Sequence, residues 1–132
     1  MTDTPAPAPI RIPFMEHCGI LFAPGEGGST RVRATVEPHL RNTRIHAHGG
    51  LIMTMLDIAL GWAAKEAAGE AHSFMTVDMQ VQFLAPGTGE ITAEGRVTKA
   101  GRSLVFCEGE ARNADGVMVA RATGLFKPLH HR

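Results

Sequence analysis

The chain has 132 residues, with 13 Lys plus Arg against 13 Asp plus Glu, so its formal net charge is zero. That is one domain of ordinary size, and the charge balance excludes the broad basic surface of a nucleic-acid binder. A hydrophobic content of 44% excludes disorder, and two cysteines, Cys18 and Cys107, are too few for a disulfide framework or a Cys-rich zinc site.

The opening stretch, 1–13, alternates Pro and Ala through Pro5, Pro7 and Pro9 to Pro13. It reads as an extended or disordered tail, with neither the basic patch nor the apolar core of a signal peptide. A single folded domain is expected over 14–128, followed by a short tail at 129–132 in which His130 and His131 are solvated. Phe14 to Ala23 supplies a short helix and a first strand, and the glycines at 25, 27 and 28 make a turn. From Arg31 to Pro38, Val32, Ala34 and Val36 alternate with charged residues, the pattern of a half-buried strand. From Gly49 to Ala68 apolar residues cover nearly the whole helical circumference, so a helix buried on most sides is expected, with Gly69 as its stop.

Four strands follow. In Ser73–Leu84 the odd positions Met75, Val77, Met79, Val81 and Phe83 are apolar and are expected to face the core. Glu90–Thr98, Leu104–Arg112 and Val117–Lys127 are separated by turns at Pro86-Gly87, at Gly101 and at Ala114-Asp115-Gly116. Short connections predict an antiparallel meander. The fold class is α+β: a curved antiparallel sheet wrapped around one long central helix. The run 51–64 is interrupted by Thr54, Asp57 and Gly61 and is too short to span a bilayer. The chain therefore reads as soluble and cytoplasmic, with no membrane partner and reduced thiols.

Asp57 stands out. It is a carboxylate in mid-helix, surrounded at helical spacing by Gly50, Thr54, Gly61 and Lys65. Burying it without a partner costs several kcal/mol or more. Either it pairs with Lys65 or a backbone group, or it is held for chemistry, with small neighbours leaving room for a ligand. Ahead of the helix, His48-Gly49-Gly50 places unpaired N–H groups at the positive end of the helix dipole, a potential oxyanion site. A plain Gly-rich helix entry is the alternative. His48 and Asp57 are nine residues apart, ~13.5 Å along the axis and about half a turn out of phase. If both serve one site, the second half comes from another subunit, as two antiparallel helices about a two-fold axis would arrange. His46 and His48 form an H-x-H pair without a convincing third ligand, so no metal is assigned. The seven methionines, Met53, Met55, Met75 and Met79 among them, read mostly as core.

The run Asn42-(x5)-His48-Gly49-Gly50-(x6)-Asp57, then Thr76-Val77-Asp78-Met79, Phe83-Leu84-Ala85-Pro86 and Lys99-Ala100-Gly101-Arg102-Ser103, resembles the hotdog-fold acyl-CoA thioesterases of the phenylacetic-acid-degradation type. The resemblance spans Asn42 to Phe126. It implies a hotdog fold, homodimers often paired into tetramers, and hydrolysis of an acyl- or aryl-CoA thioester in a site built across the dimer interface. It implies no cofactor, the CoA moiety belonging to the substrate. By resemblance Asp57 is the nucleophile or general base, the Gly50 N–H polarises the thioester carbonyl, His48 helps form the pocket, Asn42 holds water or the thioester, and Thr76 places a hydroxyl near the acid. Gly49 and Gly61 would lie against substrate, and Lys99 and Arg102 would meet CoA phosphates unless they form an ordinary charged turn. One departure is Ile45, where the family commonly has Gly. Dehydratases or hydratases of the same fold, with His48 as acid/base, and non-catalytic acyl-CoA binders are the alternative functions.

Overall fold

The computed structural model describes residues 11–69 and 72–130. Most of the expected Pro/Ala tail, and His131 at the other end, lie outside the described residues. Helix α1 spans Pro13–His17 and β1 Leu21–Ala23. Strand β2 spans Thr30–Thr35, and a 3-10 turn at Pro38–Leu40 ends the extended run that the sequence carried on to Pro38. Helix α2 spans Gly49–Ala68, as its spacing predicted, and closes on Gly69 at φ 92°. Strands β3 His72–Phe83, β4 Glu90–Ala100, β5 Val105–Asn113 and β6 Met118–His130 complete a six-stranded antiparallel sheet. The curved sheet carrying one long helix is the hotdog architecture that the motifs implied. The first and last elements overrun the expected 14–128 domain by one and two residues. Among the described residues no helix is long and apolar enough to cross a membrane.

The strand order is β1-β2-β4-β5-β6-β3, which corrects the simple meander. Of the last four strands only β4, β5 and β6 run as consecutive neighbours, as β1 and β2 do before them. The segment after β3 crosses the helix start to reach β4, so β3 pairs with β6 and lies at an edge of the described sheet. Connection length alone cannot distinguish a hairpin from this crossing.

The expectation of a helix buried on most sides also needs correction. The buried positions of α2 come in pairs, Leu51/Ile52, Met55/Leu56, Ala59/Leu60 and Ala63/Ala64, and together form one face against the sheet. Opposite them Gly50 and Met53 are exposed, while Thr54, Asp57, Ile58, Gly61, Trp62 and Lys65 are half-buried. The helix is apolar beyond what one chain covers. Its buried face meets Val32, Ile91, Ala93, Val119 and Phe126, all within the continuous core.

Strand β3 departs from its alternation. A bulge between Thr76 and Asp78 leaves Val77 outside the register with β6. Before the bulge Phe74 turns inward, and after it Met79 and Val81 do; Met75, Val77 and Phe83, expected in the core, are exposed. One extra residue in a strand reverses which face each side chain takes. Met75, and Met53 on the open face of α2, are surface residues rather than core.

Candidate active site

The loop ahead of α2 is organised by Asn42. Its side-chain Oδ1 accepts from the backbone N–H of Arg44 at 2.8 Å and of His46 at 3.1 Å, and its own N–H donates to the His46 carbonyl. Both side-chain contacts are donors, so the atom facing them is the carbonyl oxygen. The loop is anchored by Ala47 N–H to the Gly87 carbonyl and His48 N–H to the Leu40 carbonyl. Ile45 adopts φ 68°, the left-handed region that glycine tolerates, with its side chain 69% exposed. A left-handed L residue costs roughly 1–2 kcal/mol, and Ile45 has no core contact to lose. Ile45→Gly is expected to raise stability by about 1 kcal/mol, measured by urea unfolding; a lower midpoint contradicts this.

His48 is the N-cap of α2, and its Nδ1 accepts from the Gly50 N–H at 2.8 Å. This revises the picture of an open oxyanion donor, because the Gly50 N–H is already bonded to the neighbouring imidazole. A hydrogen bond between residues i and i+2 depends on a side-chain rotamer that a Gly-Gly motif does not disclose. Gly49 abuts the Phe83 ring, from which an added Cβ would lie 3.4 Å away.

Asp57 is half-buried rather than enclosed, on the open face of α2. The Thr76 hydroxyl donates to its Oδ1 at 2.7 Å. These residues border a groove of about 480 Å³ lined also by Gly61, Trp62, Phe74 and Phe126, a volume in the usual range for small-molecule sites. The structure thus brings Asp57, Thr76 and Gly61 together. His48, Gly49, Gly50 and Asn42 do not line this groove; His48 stands ~13.5 Å from Asp57 along the helix axis. Lys99 lies near the end of β4 opposite Phe106, and Arg102 lies in the following turn. Both are exposed, and neither lines the groove. The Cys107 thiol is buried and burial pushes its pKa up to about 11, which removes it as a nucleophile.

The sequence reading missed Trp62, Phe14 of α1 and Ile12, the N-cap of α1, as groove residues. Trp62, the one tryptophan of the chain, had a usable signal. It sits five residues after Asp57 on the adjoining helical ridge. Ile12 and Phe14 had none, because their contribution depends on how α1 docks. On the opposite face of the sheet, Arg96 pairs with Glu110 at 2.9 Å and Glu108 at 3.3 Å, and Arg31 pairs with Glu94. These carboxylates raise the pKa of Arg96 and keep that face polar.

A family model described as the thioesterase superfamily matches residues 46–120, more than half of the chain. A Saccharolobus solfataricus protein with an esterase name is 37% identical over 78 residues, covering 58% of this chain and 55% of that protein. The medium/long-chain acyl-CoA thioesterase YigI of Escherichia coli K12 is 28% identical over 93 residues, covering 60% of each. The chain therefore spans little more than half the length of these two relatives. A solved thioesterase family protein of Silicibacter pomeroyi superposes with a TM-score of 0.85 at 26% identity, covering 91% of each chain.

Proposed function

The chain belongs to the thioesterase superfamily, and from that we propose that it hydrolyses an acyl- or aryl-CoA thioester to CoA and a carboxylic acid. The observation that carries this reading is the Asp57 carboxylate, held by Thr76 at the edge of an apolar groove. Thr76 occupies Oδ1 and leaves Oδ2 to act on the carbonyl, either directly as nucleophile or by taking a proton from the attacking water. On the base route the tetrahedral intermediate expels CoA thiolate, which receives the proton that Asp57 took from water; on the nucleophile route CoA thiolate leaves first, and water then hydrolyses the acyl anhydride on Asp57 to the free acid, its proton passing to the thiolate. The CoA substrate is supported by YigI, whose name gives acyl-CoA as its substrate.

In this reading the Gly50 N–H polarises the carbonyl once the thioester oxygen displaces the His48 imidazole from it. Asn42, whose Oδ1 is committed to its loop, contributes its amide N–H₂. Gly49 and Gly61 keep backbone close to the substrate. Lys99 and Arg102 meet the CoA phosphates of a site on a partner chain. Two subunits supply each site. Support comes from the separation of Gly50 from the Asp57 groove, from the uncovered face of α2, and from β3, an edge strand with exposed Met75 and Val77. Antiparallel pairing of two β3 edges would continue the sheet and set the helices antiparallel, with two such dimers forming a tetramer. The domain takes in all the elements from Pro13 to His130. Its setting is the cytoplasm, which suits the free, buried Cys18 and Cys107.

Thiol release from a panel of CoA thioesters tests the activity. Thr76→Val keeps the volume and removes the donor. A hydrogen bond to a charged group is worth roughly 1.5–3 kcal/mol, so kcat/KM is expected to fall about 10- to 100-fold. Unchanged kinetics would remove Thr76 from the mechanism. Shared sites are tested by co-expressing Asp57→Asn and His48→Ala chains. Mixed dimers are expected to exceed both variants in activity, whereas sites confined to one chain give no recovery.

A further inference from the structure

The groove bordered by Asp57 is lined on α2 by Ile58, the bare backbone of Gly61 and Trp62, and on the sheet by Phe74 and Phe126. Its polar side chains are Thr54, Asp57, Lys65, Ser73 and Thr76, and the other side chains lining it are apolar. Trp62 is braced from two sides. Phe22 of β1 meets it edge-to-face with ring centroids 5.2 Å apart and planes at 80°, and the Lys65 ammonium lies 5.5 Å from the centroid of its ring. Both contacts favour one ring orientation, so the indole is a fixed wall. Asp57 and Trp62 are separated by ~7.5 Å along the helix axis, about the reach of a six-carbon chain or a substituted phenyl ring.

We propose that Trp62 sets the acyl specificity of this site, which takes a compact apolar acyl group laid over Gly61 and blocks longer chains at the indole. The proposal rests on the thioesterase reading, with the carbonyl at Asp57 and the acyl tail pointing along α2 toward its C-terminal end. Trp62 is a specificity residue, since it touches the acyl tail and not the reacting atoms.

The test compares kcat/KM for butanoyl-, hexanoyl-, benzoyl- and dodecanoyl-CoA in the wild type, Trp62→Ala and Trp62→Phe. Hexanoyl-CoA is expected to exceed dodecanoyl-CoA about tenfold in the wild type, since a few methylenes without room cost that much. Trp62→Ala is expected to raise the dodecanoyl-to-hexanoyl ratio about tenfold, and Trp62→Phe to raise it less. A smaller change in Trp62→Ala overturns the proposal, as does a parallel fall for all lengths. Should Trp62→Ala fail to fold, the ratio in Trp62→Phe and the emission readout decide.

Trp62 is the single tryptophan and the chain has no tyrosine, so its emission reports the groove directly and without turnover. The unhydrolysable thioether analogue of hexanoyl-CoA is expected to shift that emission to the blue, and CoA alone to leave it unmoved. If no thioester is hydrolysed but the shift appears, the hydrolase reading fails and the acyl groove stands. If thioesters are hydrolysed without any shift, the wall at Trp62 is wrong and the hydrolase reading stands.

Discussion

Asp57→Asn is expected to lower kcat/KM on CoA thioesters by about 10³-fold while leaving the fold intact. The replacement is nearly isosteric, and its amide oxygen still accepts the Thr76 hydroxyl that donates to Oδ1 at 2.7 Å. An amide neither takes a proton from water at neutral pH nor attacks a carbonyl. Loss of a positioned acid–base group typically costs 10²- to 10⁴-fold. Asp57 is half-buried at a groove edge, so the change in stability is expected to stay within about 0.5 kcal/mol. Thiol-release kinetics beside a thermal melt separate the two quantities. A variant that melts normally and keeps wild-type turnover ends the proposed role of Asp57.

Gly95→Ala is expected to destabilise the protein by about 3 kcal/mol, the upper range for forcing a methyl into a packed interior. Strand β4 passes directly beneath α2 at Gly95. An added Cβ there would lie 2.5 Å from the Ala59 carbonyl oxygen and 2.7 Å from the Leu60 nitrogen. Both are helix backbone, so no side-chain rotation relieves the overlap and the helix must lift. Gly109, opposite Gly95 on β5, and Gly124 on β6 continue this trough, and added Cβ atoms there would meet Leu60 Cδ1 at 2.7 Å and Cδ2 at 3.2 Å. Urea unfolding reads the loss. Gly61→Ala is the contrast: its Cβ would lie 3.4 Å from the Phe126 ring, and alanine improves helix propensity by up to ~1 kcal/mol. Its stability is expected to stay near wild type or rise. Similar losses for both variants would contradict the close approach at Gly95.

These two positions mark how far the sequence was legible. Asp57 is visible because an acid breaks a local apolar pattern, and the Gly49–Ala68 limits are visible because helical spacing and a terminal glycine are local signals. Gly95 is not visible. A glycine in an alternating strand looks like a weak strand residue until a helix is laid across it. The glycines singled out from the sequence, Gly49, Gly50 and Gly61, have more room than those beneath α2, since their added Cβ atoms come no nearer than 3.0 Å to any atom, and there only to the His48 side chain.

Thr76 lies between these cases. The motif resemblance placed a hydroxyl near the acid, and the hydrogen bond to Asp57 is present. Strict alternation would have put Met75 and Val77 inward. The bulge at Val77 changes which residues face the helix on either side of it, and this depends on pairing with β6, far along the chain. The His48 cap on Gly50 shows the same limit at short range, since a dipeptide of glycines announces free donors but not the rotamer that occupies them.

The sequence by itself determined one long helix among five or six strands, the limits of α2, and the isolation of Asp57, because periodicity and capping act over a few residues. Tertiary structure decided that β3 takes an edge beside β6, that Thr76 reaches Asp57, that Trp62 lines the groove, and that Gly95 lies hard against the backbone of Ala59. Each of these depends on contacts between segments far apart in the chain, where close packing selects one register and one approach distance from several that local sequence allows equally.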